Sequence, residues 1–96
     1  MNDQPLRLLV VDDDSSLVAA LERGLSEAGW DVVAHTTFEG ARQALRSEQF
    51  DAMLTDVRLG AFNGLQLAVV ARDSFPKMQI VVFSGLAWVV GRKPPV

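Results

Sequence analysis

The sequence has no cysteine, which excludes disulfide bridges, thiolate metal sites and thiol redox chemistry. No apolar run approaches the ~20 residues of a membrane-spanning helix, so we expect no membrane association. The first residues lack the basic start and apolar stretch of a secretory signal, and we therefore expect a cytoplasmic protein. The nine lysine and arginine residues are spread along a chain of net charge −3, which disfavours direct binding of nucleic acid.

The sequence does contain enough apolar material for one packed core. Its 96 residues are 49% hydrophobic and 22% charged, a composition typical of a globular domain and too apolar for a disordered segment. The length leaves no room for two domains. We therefore predict one domain over residues 1–96, whose stability depends on the burial of apolar side chains.

Four short apolar segments have the pattern of strands buried on both faces, because each is continuous and rich in branched residues. They lie at residues 7–11, 31–35, 52–55 and 79–84. Helical spacing of apolar residues follows the first strand, after a cap at Ser15 or Ser16 and before a stop at Gly29. The predicted buried stripe of this helix is Leu17, Leu21, Leu25 and Ala28.

Two further helices complete the pattern. One would start after Thr36 or Thr37, and the other would run over about residues 65–75, between a loop at 57–63 and Pro76. The buried side of the former would hold Phe38, Ala41 and Leu45. Strands that alternate with helices imply parallel strands, right-handed crossovers and helices on both faces. The fold class is therefore α/β, and ligands are expected outside the carboxyl ends of the strands.

Acidic residues follow two of the predicted strands at those ends. Asp12 and Asp13 follow the first strand and Asp56 follows the third, so they converge if these strands are neighbours. Clustered carboxylates raise one another's pKa unless a cation neutralises them, and oxygen ligands around an open site favour Mg²⁺. A divalent ion beside a carboxylate suits phosphoryl transfer to an aspartate oxygen. The alternative is that the acids are solvated strand ends that cap helices, an interpretation that fits Asp14 best.

The order and spacing of four motifs resemble the receiver domain of two-component response regulators. The motifs are LVVDDD at residues 9–14, LTDVRL at 54–59, Asn63-Gly64, and IVVFSG at 80–85. They look like the family's acidic-pair strand, its phosphoacceptor strand, the turn before its third helix, and the strand that ends in a hydroxyl and a small residue. Each motif is weak alone, but the ordered set covers about residues 6–86. The resemblance implies a flavodoxin-like doubly wound parallel sheet, here with four parallel strands and three helices.

The resemblance also implies the roles of individual residues. Asp56 would accept a phosphoryl group from the phosphohistidine of a histidine kinase or phosphotransfer protein, so the domain would be a signalling switch rather than an enzyme. Mg²⁺ would be bound by Asp13 directly, by Asp12 through its side chain or a water, by Asp56, and by the backbone carbonyl of Arg58. Ser84 would donate its hydroxyl to a phosphoryl oxygen and report the phosphorylated state.

The C-terminal part departs from the family, which has a fourth helix, a fifth strand ending in Lys-Pro, and a fifth helix. Lys93-Pro94 imitates that pair, but only eight residues separate it from Ser84, and a parallel crossover needs about a dozen or more. This spacing opposes assigning the family's lysine to Lys93. The receiver core is therefore predicted at about residues 6–85, with an atypical tail at 86–96.

The tail leaves several interpretations open. Residues 86–90 form a strand only if they return antiparallel or pair with another molecule by exchange, and their apolar character predicts a possible homodimer. Three explanations of the short C-terminal part compete. The sequence would be cut within the fourth helix, would carry an internal deletion or altered reading frame, or would exchange C-terminal segments with a second chain. A shortened receiver would then be a non-switching module that dimerises or binds a kinase.

A metal-dependent phosphohydrolase of similar topology is a further alternative. Such enzymes place their nucleophile after the first strand and a second acid two positions later, a spacing that Asp12 and Asp14 have. No clear lysine or remote acid pair completes that set, so the sequence favours the switch.

Overall fold

A parallel sheet with one antiparallel edge strand forms the centre of the computed structural model, which describes residues 4–84 and 87–90. The elements in chain order are β1 Arg7–Val11, α1 Ser15–Glu27, β2 Asp31–His35, α2 Phe38–Ser47, β3 Ala52–Asp56, β4 Arg58–Leu59, β5 Phe62–Asn63, α3 Gly64–Ser74, β6 Gln79–Ser84 and β7 Ala87–Val90. The four predicted strands and three predicted helices are all present. None of these helices is both long and apolar enough to cross a membrane.

The strand order confirms the predicted α/β, doubly wound architecture. The five-stranded sheet has the order β2-β1-β3-β6-β7, in which β1 is parallel to β2 and β3, and β3 is parallel to β6. The connection from β1 leads to β2, toward one edge of the sheet. The connection from β2 then passes back over β1 to β3, toward the opposite edge. Because the order reverses between β1 and β3, their carboxyl ends border a crevice where ligands bind in this architecture.

The two faces of the sheet bury different residues, because successive side chains of a strand point to opposite faces. Leu9 and Val11 belong to a core cluster with residues of α2 and α3. The strand residues of this cluster on the neighbouring strands are Met53, Ile80 and Val82. Leu8 and Val10 lie on the opposite face, and Val18 of α1 is buried. Right-handed crossovers require this placement of α1 opposite to α2 and α3.

Two details predicted for α1 are wrong. Its N-cap is Asp14, whose side chain accepts hydrogen bonds from the N–H groups of Ser16 and Leu17, so neither Ser15 nor Ser16 is the cap. Asp14 is the acid for which the sequence favours a capping role. Its buried residue is Val18, whereas Leu17 is 39% exposed. Leu21 and Leu25 of the predicted stripe are half-buried. Leu17 and Val18 are both apolar, so the spacing alone allows two adjacent stripes, and packing against the sheet selects the one that contains Val18.

The other helix starts agree more closely with the sequence. Thr37 caps α2 by accepting a hydrogen bond from Gly40 N–H at 3.0 Å, and Asn63 caps α3. The predicted loop at residues 57–63 contains the short hairpin β4–β5, in which Arg58 pairs with Asn63. The hairpin was not predicted because each of its strands has only two residues.

The backbone at the far edge of the sheet shows how the tail continues. Strand β7 pairs antiparallel with β6, with Ala87 opposite Ser84 and Val90 opposite Val81. A two-residue connection cannot make a parallel crossover, so the chain turns back along the same edge. Lys93, whose spacing from Ser84 opposes assigning it as the family's lysine, lies outside the described residues.

Candidate metal centre

Three carboxylates meet at the carboxyl end of the sheet, beside the reversal of strand order. Asp12 and Asp13 follow β1 directly, and Asp56 is the last residue of β3. Because Val11 is in register with Thr55, Asp12 and Asp56 occupy equivalent positions on neighbouring strands. One carboxylate oxygen from each of the three residues lies within 4.8 Å of the others. The strand order therefore brings together the acids that the sequence singled out.

Asp12 is the buried member of this acid cluster. It is 3% exposed, and its backbone N–H donates to the carbonyl of His35 at 3.2 Å. Burial raises the pKa of Asp12 above its ordinary value, and the hydrogen bond that its carboxylate accepts from Asp14 N–H at 2.8 Å opposes this effect. The charges of Asp56 and Asp13 raise the pKa of Asp12 further. The ionised Asp12 is thus destabilised until a cation approaches.

No protein cation balances the cluster within the part of the chain that the structure describes. The ion pairs found there involve Arg7 and Arg42, and neither contacts Asp12, Asp13 or Asp56. A donor set of carboxylate oxygens without nitrogen or sulfur matches the preference of Mg²⁺. Asp13 is exposed and Asp56 half-buried, so the cluster is open to solvent on one side. The residues present therefore fit a hard divalent cation that keeps some of its water ligands.

The β4–β5 hairpin borders the cluster immediately after Asp56. Gly60, at the hairpin turn, has φ +63°, and its N–H donates to Asp13 Oδ2 at 3.4 Å. The base of the hairpin is closed by the N–H of Gly64, which donates to the carbonyl of Val57 at 2.6 Å. Arg58 is the first residue of β4, so its backbone lies two residues beyond Asp56.

Gly64 allows the first residue of α3 to lie directly against the last residue of β3. A Cβ at this position would collide with the backbone carbonyl of Asp56 and lie 3.1 Å from Thr55 Oγ1. The Thr55 hydroxyl, on a fully buried side chain, itself donates to the Asp56 carbonyl at 3.1 Å. The start of α3 can therefore lie against the end of β3 only with glycine at residue 64.

Ser84 occupies the matching end of the next strand. Phe83 is in register with Asp56, so Ser84 lies one residue further along at the same edge of the sheet, where it is exposed. Gly85 and Lys93 lie outside the described residues. Of the predicted site residues, the structure thus brings together Asp12, Asp13 and Asp56, and it places Arg58 and Ser84 on the segments that border them.

Sequence reasoning missed two features of this site. It placed Gly60 in a loop and Gly64 in a turn, although Gly60 N–H donates to Asp13 and the contact with Asp56 requires glycine at residue 64. It also gave no role to Phe62, which stacks on Phe38 with ring centroids 4.8 Å apart. An aromatic residue between Gly60 and Gly64, in a segment too short to bury it, was the available signal.

Comparison with known proteins agrees with this geometry. Residues 8–89 match the model of the family described as response regulator receiver domain. The chain is 33% identical over 75 residues to the DNA-binding transcriptional regulator NtrC of Proteus hauseri, a match that covers 78% of this chain but only 16% of NtrC. It is 30% identical over 81 residues to the response regulator receiver protein CpdR of Brucella abortus, covering 84% of this chain and 68% of CpdR.

A solved structure is similar over the same region. The crystal structure of a response regulator protein from Burkholderia pseudomallei, with a phosphorylated aspartic acid, a calcium ion and citrate, has a TM-score of 0.80 and 30% identity to this chain. The likeness covers 85% of this chain and 48% of that one.

Proposed function

The chain belongs to the response regulator receiver domain family, and from that premise we propose that it is a phosphoacceptor switch whose Asp56 is phosphorylated. The acid cluster carries this proposal, because Asp56 is its only member at the end of β3 and shares its surroundings with two acids of β1. The structure from Burkholderia pseudomallei, which holds a phosphorylated aspartic acid and a calcium ion, supports it by analogy. In this role residues 1–96 act as one signalling unit and not as an enzyme.

Mg²⁺ would be held by the side chains of Asp12, Asp13 and Asp56 and by the backbone carbonyl of Arg58. When bound, the ion neutralises charge on the phosphoryl oxygens and on the clustered carboxylates. Asp13, the exposed acid, faces solvent and the incoming phosphodonor. Asp12, the buried acid, would contribute its negative charge to Mg²⁺ from the protein interior. The hydrogen bond from Asp14 N–H holds the carboxylate of Asp12 in place.

The donor would be the phosphohistidine of a histidine kinase or phosphotransfer protein in the cytoplasm. A carboxylate oxygen of Asp56 attacks phosphorus, a P–O bond forms, and the P–N bond to the imidazole breaks, so the leaving imidazole takes a proton and the acyl phosphate remains on Asp56. Ser84, at the same edge of the sheet, would then donate its hydroxyl to a phosphoryl oxygen. That hydrogen bond would draw the end of β6 toward Asp56 and change the adjacent surface.

Incubation with Mg²⁺ and a small phosphodonor, followed by intact-mass measurement, tests this function. We expect a gain of one phosphoryl group in the wild type and none in Asp56→Asn. Asp51→Asn is the matched control, because Asp51 precedes the same strand at its opposite end and an asparagine there still accepts the Arg7 N–H. No gain in the wild type, or the same gain in Asp56→Asn, would contradict the proposal.

The direct return of the chain into β7 favours a second candidate, a receiver that dimerises or binds a kinase without switching. Strand β7 occupies the edge beside β6 by antiparallel pairing. An edge strand of apolar residues favours pairing with a second copy, and the domain would then be a dimeric interaction module. Light scattering with and without Mg²⁺ and beryllium fluoride distinguishes the two candidates. A phosphorylation mimic that changes the oligomeric state or the kinase affinity supports the switch, and an unchanged dimer supports the module.

A further inference from the structure

Two phenylalanines link the hairpin beside the acid cluster to helix α2. The rings of Phe38 and Phe62 are stacked, with centroids 4.8 Å apart and an interplanar angle of 15°. Phe38 is the first residue of α2 and packs partly buried against the main core cluster. Phe62 lies in β5 and is 55% exposed. The stack therefore connects a fixed ring to one on a surface segment.

The outer strand of the hairpin that carries Phe62 is held at its end by Asn63, which caps α3 and accepts a hydrogen bond from Leu65 N–H at 2.7 Å. Phe62 is the other residue of that strand. Each strand has two residues, and a hairpin of this size is marginal without external contacts. Leu59 of β4 is 3% exposed and belongs to the core, so the inner strand is anchored. Phe62 is the residue opposite Leu59 in the register, and its contact with Phe38 provides an anchor for the outer strand on the side of the Gly60 turn.

The same hairpin contributes two backbone groups to the surroundings of the acids. Arg58, opposite Asn63, is the residue whose carbonyl we assign to the metal, and the N–H of Gly60 donates to Asp13. Gly60 has a positive φ, and glycine allows the turn many conformations. The position of both groups thus depends on how firmly the two strands of the hairpin are anchored.

We propose that Phe62 is a positioning residue, which by stacking on Phe38 holds the β4–β5 hairpin against the acid cluster and thereby raises the affinity of the site for Mg²⁺. This inference rests on the proposed function, because it assumes that the Arg58 carbonyl is a metal ligand. Phe62 itself contacts neither the metal nor the phosphoryl group in this role.

Calorimetric titration with Mg²⁺ tests the inference without phosphorylation. For Phe62→Ala we expect the dissociation constant to rise about two- to tenfold, the range that loss of one aromatic pair produces. Phe62→Tyr keeps the ring and, with its hydroxyl directed to solvent, should bind as the wild type does. Leu6→Ala is the matched control, because Leu6 is also 55% exposed but lies at the amino end of the sheet.

Amide hydrogen exchange of the metal-free protein provides a second measurement. Gly64 N–H closes the base of the hairpin on Val57, and we expect its protection to fall about two- to tenfold in Phe62→Ala. The amide of Asp51, which donates to the Arg7 carbonyl at 2.9 Å at the other end of β3, should keep its protection.

The outcomes separate this inference from the function on which it rests. Weaker binding and faster Gly64 exchange in Phe62→Ala, with both restored in Phe62→Tyr, support the positioning role. Wild-type affinity in Phe62→Ala overturns it and leaves the phosphoacceptor function intact. Equal weakening in Leu6→Ala also overturns it, because the effect would then be general destabilisation. A wild type that binds no Mg²⁺ overturns both.

Discussion

The two ends of the sheet each gather three acidic residues, but they treat the charge in opposite ways. At the amino end Arg7 donates from Nε to Asp31 at 3.2 Å and from Nη2 to Glu48 at 2.7 Å, and its backbone N–H donates to Asp51 at 2.7 Å. Its guanidinium also lies 5.0 Å from the ring centroid of Phe50. At the carboxyl end, no lysine or arginine of the described residues pairs with the acid cluster.

This difference separates a structural use of charge from a functional one. At the amino end each carboxylate has a donor within the fold, so the charges fasten the starts of β1 and β2 to the segment that precedes β3. At the carboxyl end the carboxylates repel one another and burial adds to the cost, which leaves oxygens available for an external cation. Local conflict of this kind is expected at a binding site, where it is offset by stability elsewhere.

The largest effect should follow a change in shape at the carboxyl end. Gly64→Ala places a Cβ against the Asp56 carbonyl, and we expect the free energy of unfolding to fall by about 3 kcal/mol, as for other overpacked sites. Gly24→Ala is the control, because a Cβ at this position in α1 meets no atom within 4 Å and should leave stability equal or up to about 1 kcal/mol higher. Urea unfolding measures both, and equal stabilities would show that the close contact at Gly64 can relax.

Asp12→Asn should change both the metal affinity and the pH dependence of stability. Removing one charge from the cluster should weaken Mg²⁺ binding about 10- to 100-fold, measured by calorimetry. In the metal-free wild type the pKa of Asp12 is raised by burial above the ordinary value of 3.8, so the folded protein keeps a proton that the unfolded chain loses. Stability therefore falls as the pH rises from 3.8 through the raised pKa.

The variant tests the sign of this dependence. Urea-unfolding experiments across that pH range should show a smaller fall in stability for Asp12→Asn than for the wild type. Mg²⁺ at a concentration that just saturates the wild type should stabilise the wild type more than the variant. Asp31→Asn, at the amino end, is the control and should leave the metal affinity unchanged. A fall with pH that persists unaltered in Asp12→Asn would show that another group causes it.

Arg7→Ala should affect the amino end alone. It leaves Asp31 and Glu48 without their cation and removes the contact with Phe50, so we expect a loss of about 1 to 2 kcal/mol in unfolding free energy. The Mg²⁺ affinity should stay within about twofold of the wild type, since Arg7 and the acid cluster lie at opposite ends of β1 and salt screens the interaction between them. Arg46→Ala is the control, because Arg46 forms no ion pair with another described residue. A large change in Mg²⁺ affinity in Arg7→Ala would mean that the two ends are coupled.

The smallest effect should distinguish Asp14, which caps α1, from the neighbouring acids that we propose as Mg²⁺ ligands. Asp14→Ala removes the acceptor for two N–H groups of α1 and should lower the unfolding free energy by about 1 kcal/mol. Ser15→Ala, within a few tenths of the wild type, is the matched control. Neither change should weaken Mg²⁺ binding as much as Asp12→Asn does, although the charge of Asp14 acts on Asp12. A larger loss in Ser15→Ala would instead assign the cap to the serine.

Much of the fold could be predicted from local pattern, because buried strands and amphipathic helices have their own periodicity. The four parallel strands were predicted almost to the residue, and Thr37, the cap of α2, was one of the two residues predicted for it. The first buried residue of α1 was predicted wrongly, since Leu17 and Val18 are both apolar and only contact with the sheet distinguishes them. Short elements such as β4 and β5 have too few residues for any period to show.

The sequence by itself determined which residues end the strands, and therefore that acids would stand at the carboxyl edge of a parallel sheet. Tertiary structure alone decided that Asp12, Asp13 and Asp56 share one site. It also decided that Arg7 balances the acids of the opposite end, that Gly64 must lack a side chain, and that Phe62 meets Phe38. Strand ends follow from local composition, whereas these contacts join residues far apart in the chain and depend on strand order and register.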